Sequence, residues 1–260
     1  MKATRESNGL WVETSGGNDG DVLLLVHGMG ANGALWDPLL ALASREWKGR
    51  IVVPDLAGHG RSAHRQSYSF GTFAADLAGV LSPTDKVHII GHSLGAALAG
   101  LLGTGWFGVD VRSILALSMK TRWSQQEVDK SREVAQNPVR WLPAREEATL
   151  RYLKMAGLGV LGDRVVRSGE AGVVEEGGQF RLAADQKIFG SAALGADLIM
   201  KAVRCPIAYA TGALDTIASA ADMEAFGFHA AVIDNAGHNV QVEAPDKVWD
   251  LFTDLSRQAG

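Results

Sequence analysis

Ser93 stands in Gly91-His92-Ser93-Leu94-Gly95, a serine flanked at two removes by glycines, with the apolar run Val87 to Ile90 before it and the small-residue stretch Leu94 to Leu102 after it. A serine on a strand-to-helix elbow of that kind is held in strained backbone with its hydroxyl presented to the outside, and the glycines are there because side chains would clash. A serine that merely caps the helix would satisfy the same five residues, so its chemistry depends on partners elsewhere. A hydroxyl is a poor nucleophile at neutral pH and needs a histidine base, which in turn needs a carboxylate to orient it. Of seven histidines, only His229 and His238 follow Ser93. His238 lies in Asn235-Ala236-Gly237-His238-Asn239, just past the strand-like Ala230 to Ile233, whereas His229 precedes that strand and would emerge at the opposite sheet edge. For the acid, Asp215 follows the strand-like Pro206 to Ala210 within Thr211-Gly212-Ala213-Leu214-Asp215. Its competitors are weaker: Asp222 belongs to the next helix, and Asp234 sits close to the end of its strand. Taken singly, Asp215 could be a turn former and His238 a loop histidine. The order serine, aspartate, histidine on three strand-end loops is what joins them. An oxyanion formed on attack needs amide donors; Leu94 offers one at a helix start, and Met29 of His27-Gly28-Met29-Gly30 is placed to give the other.

The elements needed to carry these loops are legible in the hydrophobic pattern. Val22 to Val26, Arg50 to Pro54, Val87 to Ile90, Val111 to Leu117, Pro206 to Ala210 and Ala230 to Ile233 read as strands buried on both faces of a mostly parallel sheet, with Leu10 to Thr14 at its edge. Helical spacing is predicted over Leu35 to Leu42, Ser69 to Leu81 and Pro245 to Arg257. Between Lys120 and Lys201 the alternation gives way to polar helical pieces at Ser124 to Ala135, Ala144 to Met155 and Ala192 to Met200, with a glycine-rich, less defined part from Gly157 to Gly178. The layout expected is an α/β core over residues 1–119 and 201–260, with helices on both faces of the sheet and a helical cap, residues 120–200, inserted after the sixth strand.

With 260 residues, 47% of them hydrophobic, the chain suffices for one sizeable core. Its net charge of -4 gives no basic excess, which argues against a nucleic-acid partner and for a small-molecule substrate. A single cysteine, Cys205, excludes an intramolecular disulfide; with a polar start that lacks an apolar leader, it points to the reducing cytoplasm. The longest apolar tract, His88 to Val109, contains His88, His92, Ser93 and six glycines, so a buried strand, elbow and helix explain it without a membrane. No metal-ligating cluster is spaced for binding, and the glycines after Val26 lack the dinucleotide fingerprint. Neither a metal nor a cofactor is expected. Oligomeric state is not readable from the sequence.

His27-Gly28-x-Gly30 after a strand, Asp55-x-x-Gly58-His59-Gly60-x-Ser62, Gly91-His92-Ser93-x-Gly95, Gly212-x-x-Asp215 and Gly237-His238 with Glu243-x-Pro245 downstream together resemble the α/β-hydrolase superfamily, over about Leu10 to Phe252. The resemblance implies the α/β-hydrolase fold, a catalytic triad of Ser93, Asp215 and His238, oxyanion amides from Met29 and Leu94, and loop-shaping roles for His27, His59 and His92. The activity expected is hydrolysis of a carboxylic ester, thioester or lactone of a small, largely apolar molecule through an acyl-enzyme, with Met29, Trp123 and Trp141 as candidate substrate contacts. Two alternatives remain open on the same scaffold. One is hydrolysis of a C–C bond in an aromatic ring-fission product, which would draw on Arg122, Trp123, Arg140 and Trp141. The other is a ligand-binding receptor or a cofactor-free oxygenase or peroxidase.

Overall fold

The computed structural model describes residues 3–17, 20–159, 161–191, 195–225 and 227–258. Its strands are β1 (Ala3–Ser7), β2 (Leu10–Gly16), β3 (Val22–Val26), β4 (Arg50–Pro54), β5 (Lys86–His92), β6 (Asp110–Leu117), β7 (Val173–Glu176), β8 (Gln179–Leu182), β9 (Ile207–Gly212) and β10 (Ala230–Ile233). Eight of them form one sheet in the order β1-β2-β4-β3-β5-β6-β9-β10, antiparallel at β1, β2 and β4 and parallel from there on. The helices are α1 (Asp37–Glu46), α2 (Phe70–Gly79), α3 (Leu94–Gly103), α4 (Gln125–Gln136), α5 (Arg145–Met155), α6 (Val166–Ala171), α7 (Ala196–Lys201), α8 (Ala220–Glu224), α9 (Val240–Glu243) and α10 (Pro245–Gln258).

Alternation along the central strands divides the core between two faces. Val22, Leu24 and Val26 pack with Phe73 and Leu77 of α2 and Leu98 and Leu102 of α3. Their neighbours Leu23 and Leu25 point the other way, against Leu39 and Ala43 of α1 and Val248 and Phe252 of α10. Burial on both sides is why these strands read as unbroken apolar runs. Each fully buried Leu or Phe contributes about 2 kcal/mol through the area it removes from water.

Parallel pairing brings the chemistry-bearing loops to one edge. Val26 is level with Gly91, His92 with Leu117, Leu117 with Ala210, and Gly212 with Ile233, so β3, β5, β6, β9 and β10 end side by side. Backbone bonds extend the alignment past the strand ends: Ser93 N–H donates to Leu117 O at 2.9 Å, Ser118 N–H to Ala210 O at 2.8 Å, and Leu214 N–H to Ala236 O at 2.9 Å.

Between β6 and β9 the chain is not purely helical, which corrects the expectation. Within the stretch read as undefined, α6 is followed by the β7–β8 hairpin, closed by Gly177 and Gly178 at φ 60° and 77°. Two consecutive positive-φ residues suit a two-residue hairpin turn, whose twist matches that of the strands. The polar ends of β7 and β8 hid the pattern. A helix expected over Ala192 to Met200 is observed as α7 from Ala196 on, and residues 192–194 lie outside the described set. The polar start of the chain also forms a strand, β1, joined to β2 by Asn8 and Gly9 at φ 53° and 76°.

The segment between β6 and β9 sits on the strand-end loops through its own small core, in which Tyr152, Ala148, Leu158 and Val165 meet Ala31 and Leu35 from the loop after β3 and Val242 of α9. Buried Asn32 locks the junction: its Nδ2 donates to Tyr152 Oη and Ser168 O, each at 2.9 Å. Arg167 adds ion pairs to the buried Glu13 of β2 and to Asp37 of α1. No described helix is long and apolar enough to cross a membrane.

Candidate active site

Ser93 occupies the elbow between β5 and α3 at φ 52°, ψ -112°, a region non-glycine residues rarely adopt. The glycines around it are steric requirements. A Cβ on Gly91 would lie 2.3 Å from Gly95 O, and one on Gly95 would lie 2.1 Å from Val26 O. Both contacts are with backbone, which has no rotamer to yield.

Asp215 and His238 come from the loops after β9 and β10 and are hydrogen bonded: His238 Nδ1 lies 2.9 Å from Asp215 Oδ2 and 3.1 Å from Oδ1. The Asp215 side chain is fully buried. Burial opposes its charge, but the hydrogen bond and charge of His238 and the amides of Ile217 and Ala218 outweigh that cost and hold the carboxyl at about 2. With a carboxylate as acceptor, Nδ1 carries the proton, which leaves Nε2 as the acceptor. Asp215 Oδ1 accepts from Ile217 N–H (2.8 Å) and Ala218 N–H (3.1 Å), while Thr211 Oγ1 donates to Oδ2 (3.2 Å).

The histidine loop is fixed from two sides. Glu243 accepts Gly237 N–H at 2.7 Å and Asn239 N–H at 3.0 Å, bracketing His238. From below, His92 Nε2–H donates to His238 O at 2.8 Å, and the two rings meet edge to face at 4.8 Å. His92 is buried; that burial and the neighbouring His238 push it down to about 3, so it stays a neutral donor. Ser93 Oγ itself makes no hydrogen bond among the described residues.

Met29 and Leu94 flank the serine. Leu94 opens α3, so its N–H has no partner within the helix. Met29 N–H likewise donates to no acceptor among the described residues. Its loop is tied down by His27, whose Nε2 accepts Leu56 N–H at 2.9 Å and whose Nδ1–H donates to Gly28 O at 2.8 Å. Both ring nitrogens of His27 are thereby used, and burial lowers its pKa. His59 is also buried and held at about 3, chiefly by burial, with Nδ1 on Ala57 O.

Ser93 opens into a pocket of about 80 Å³ lined by Met29, Phe70, Leu94, Ala97, Lys120, Trp123 and Ile217. Of the three candidate substrate contacts, Met29 and Trp123 are in this lining. Trp141 is not: it packs beneath the Arg181 guanidinium at 5.8 Å, beside the Leu142–Phe180 bridge that joins it to β8. Arg122 and Arg140 are also outside it, Arg122 facing Asp222 at 3.4 Å. Sequence reasoning missed Phe70 and Ile217, although both lie on segments next to strand-end loops, and it named Glu243 without its role. Among the described residues no group of three or more His, Cys, Asp or Glu side chains is arranged to hold a metal.

The alpha/beta hydrolase family model matches residues 23–251. The chain belongs to the alpha/beta hydrolase family. It is 39% identical over 93 residues to the magnesium-chelatase 30 kDa subunit of Rhodobacter capsulatus, covering 34% of this chain and 32% of that protein. To the putative carbamate hydrolase RutD of Variovorax paradoxus it is 31% identical over 127 residues, 47% of this chain and 46% of that one. To the pimeloyl-[acyl-carrier protein] methyl ester esterase of Aliivibrio salmonicida it is 34% identical over 90 residues, 35% and 32% of the two chains. The matches thus span about a third to a half of these relatives. Two solved structures share the fold over nearly the whole chain. An esterase of Mycobacterium tuberculosis superposes with a TM-score of 0.78 at 19% identity, covering 98% of this chain and 91% of that one. The thioesterase domain from the curacin biosynthetic pathway does so with a TM-score of 0.76 at 20% identity, covering 97% and 98%.

Proposed function

We propose that the chain is a serine hydrolase that cleaves a carboxylic ester, thioester or lactone of a small, largely apolar molecule through an acyl-enzyme on Ser93. The observation that carries this reading is the Asp215–His238 pair, closed by hydrogen bonds and pinned through His92 to the residue next to the strained serine. When a carbonyl enters, Ser93 Oγ attacks its carbon and the hydroxyl proton passes to His238 Nε2. Asp215 holds the imidazole in the receiving tautomer and stabilises the imidazolium. The Met29 and Leu94 amides donate to the developing oxyanion. Collapse expels the alkoxide or thiolate, which takes the proton from His238. Water, deprotonated by the same histidine, then attacks the acyl carbon, and the acid leaves as Ser93 regains its proton. The open Ser93–His238 contact is the ordinary state before substrate tightens it.

The apolar lining by Phe70, Ala97, Trp123 and Ile217 favours an apolar acyl or leaving group, and the segment over residues 120–200 serves as the cap. A single cysteine, the half-buried Cys205, fits a reducing cytoplasm. Hydrolysis of 4-nitrophenyl butyrate by the purified chain tests the reading. A burst of one nitrophenolate per chain is expected, absent in Ser93→Ala; turnover undiminished in that variant would refute it.

A further inference from the structure

Three guanidiniums converge on a cavity of about 200 Å³ away from Ser93. Arg140, Arg151 and Arg181 line it together with His64 from the loop after β4, and the one carboxylate in its wall is Asp185. That carboxylate is already engaged: Oδ2 accepts the Tyr68 hydroxyl at 2.8 Å, and Oδ1 accepts Lys187 N–H at 3.0 Å. Arg181 is held in place, its guanidinium over Trp141, its NH1 on Leu182 O at 3.2 Å and its Nε 3.7 Å from the exposed Glu176 carboxylate, with a side chain only 19% exposed. Arg140 and Arg151 have no ion pair or hydrogen bond among the described residues. In a chain of net charge -4, the cavity is a local cationic excess in which the exposed Arg140 and Arg151 keep their donors unspent among the described residues. Guanidinium forks match carboxylate and phosphate geometry.

A second pocket, of about 290 Å³, adjoins the cavity through the shared Arg151, Leu182, Ala184 and Gln186; Lys130, Ser131 and Val134 also line it, together with Met155 and Phe189. Those two side chains press on Gly30, whose Cβ, if it had one, would lie 3.0 Å from Met155 Cε and 4.0 Å from Phe189 Cζ. Gly30 follows Met29, which lines the pocket of Ser93. Met155, unbranched and adaptable, therefore stands between the adjoining pocket and the loop that carries Met29.

We propose that the Arg140–Arg151–Arg181 cavity seats the anionic end, a carboxylate or phosphate, of a molecule whose short apolar chain runs past Met155 and Phe189 to the bond cleaved at Ser93. Cleavage in this statement rests on the proposed hydrolase reading; binding of the anion does not.

Calorimetric titration of Ser93→Ala protein with hexanoate, hexyl phosphate and hexan-1-ol tests the seat. Both anions should bind at least 10-fold more tightly than the alcohol, and the tighter of the two identifies the group the cavity is built for. Arg140→Ala or Arg151→Ala, each added to Ser93→Ala, should weaken the anions about 10-fold, whereas Arg132→Ala, which removes an exposed arginine 3.7 Å from Asp129, should leave them unchanged. Equal binding of alcohol and anions, or anion affinity indifferent to Arg140 and Arg151, would overturn the seat. In turnover, mono-4-nitrophenyl adipate should be preferred to 4-nitrophenyl hexanoate in kcat/KM, and the preference should fall about 10-fold in Arg151→Ala, mainly through KM. Anion binding without that preference would overturn the link to the substrate. If neither ester is cleaved, the hydrolase reading fails while the titration still decides the seat.

Discussion

At the scale of single residues, the site sets charge and proton position before any substrate arrives. Asp215 carries the strongest consequence, because its carboxyl is held at about 2 against an ordinary value of 3.8. A folded-state pKa below the unfolded one stabilises the fold above the unfolded value, and the contribution is lost as pH falls through the folded value. The contribution is roughly 2 kcal/mol. The stability difference between wild type and Asp215→Asn, followed by denaturant melts, is therefore expected to be full above pH 4 and to shrink between pH 4 and pH 2. A difference that does not change over that interval would contradict the assignment. The same substitution should lower kcat on the order of 10⁴-fold, since an amide does not fix the imidazole tautomer. Ser93, Asp215 and His238 could be named from the sequence as a proposed triad because the chemistry proposed for them demands specific residue types on strand-end loops, and the structure brings Asp215 and His238 into hydrogen-bond contact. Trp141 was misplaced for the opposite reason: an aromatic next to an arginine in a polar segment has no periodicity that says which way it faces, and here it supports Arg181.

At the scale of elements, the elbow is the most constrained stretch of the chain. Gly95→Ala would drive a methyl group into Val26 O and separate β3 from α3 where the Met29 loop begins. We expect a loss of about 3 kcal/mol or more, read as a lower midpoint in thermal melts, together with loss of ester turnover. Gly159→Ala, where an added Cβ meets nothing within 4 Å, should shift the midpoint by no more than about 1 kcal/mol. Equal melts for the two variants would mean that the elbow packing has been misread. The buried strands and α10 were legible because apolar side chains recur at the period their burial requires. The edge strand β1 and the β7–β8 hairpin were not, since both alternate weakly and are polar. The signals that mark them are dipeptides: Asn8-Gly9 and Gly177-Gly178, each able to take positive φ twice in succession.

At the scale of the whole molecule, the described residues between β6 and β9 are seated on the strand-end loops by a buried polar junction, a small apolar core and an ion-pair network. Asn32 is fully buried and bridges Tyr152, Ser168 and its own helical turn through Ala34 N–H. Asn32→Ala removes these three hydrogen bonds and leaves Ala34 N–H without its partner, while Tyr152 Oη keeps Ser168 Oγ at 2.6 Å and Ser168 O keeps Gly172 N–H at 2.9 Å, at a cost of about 2 kcal/mol. Hydrogen exchange should show α5 and α6 losing protection before β3 and β5 do; uniform loss across the chain would show that the segment is not a separately docked unit. Arg167→Ala breaks a partly exposed pair with Asp37 and one with the buried Glu13, which keeps Arg61 at 3.0 Å, and should cost about 1 kcal/mol or less. That such a segment exists was visible in the break of strand-helix alternation, while its seat was not, because Asn32, Tyr152 and Ser168 are far apart in sequence. In the proposed hydrolase the reacting group is the Ser93 hydroxyl. The most direct measurement is intact-mass analysis of the full chain after exposure to a fluorophosphonate, with peptide mapping of the adduct. The account predicts a single adduct on Ser93 that is absent from Ser93→Ala; no adduct on the wild-type chain, or one that persists in the variant, would contradict it.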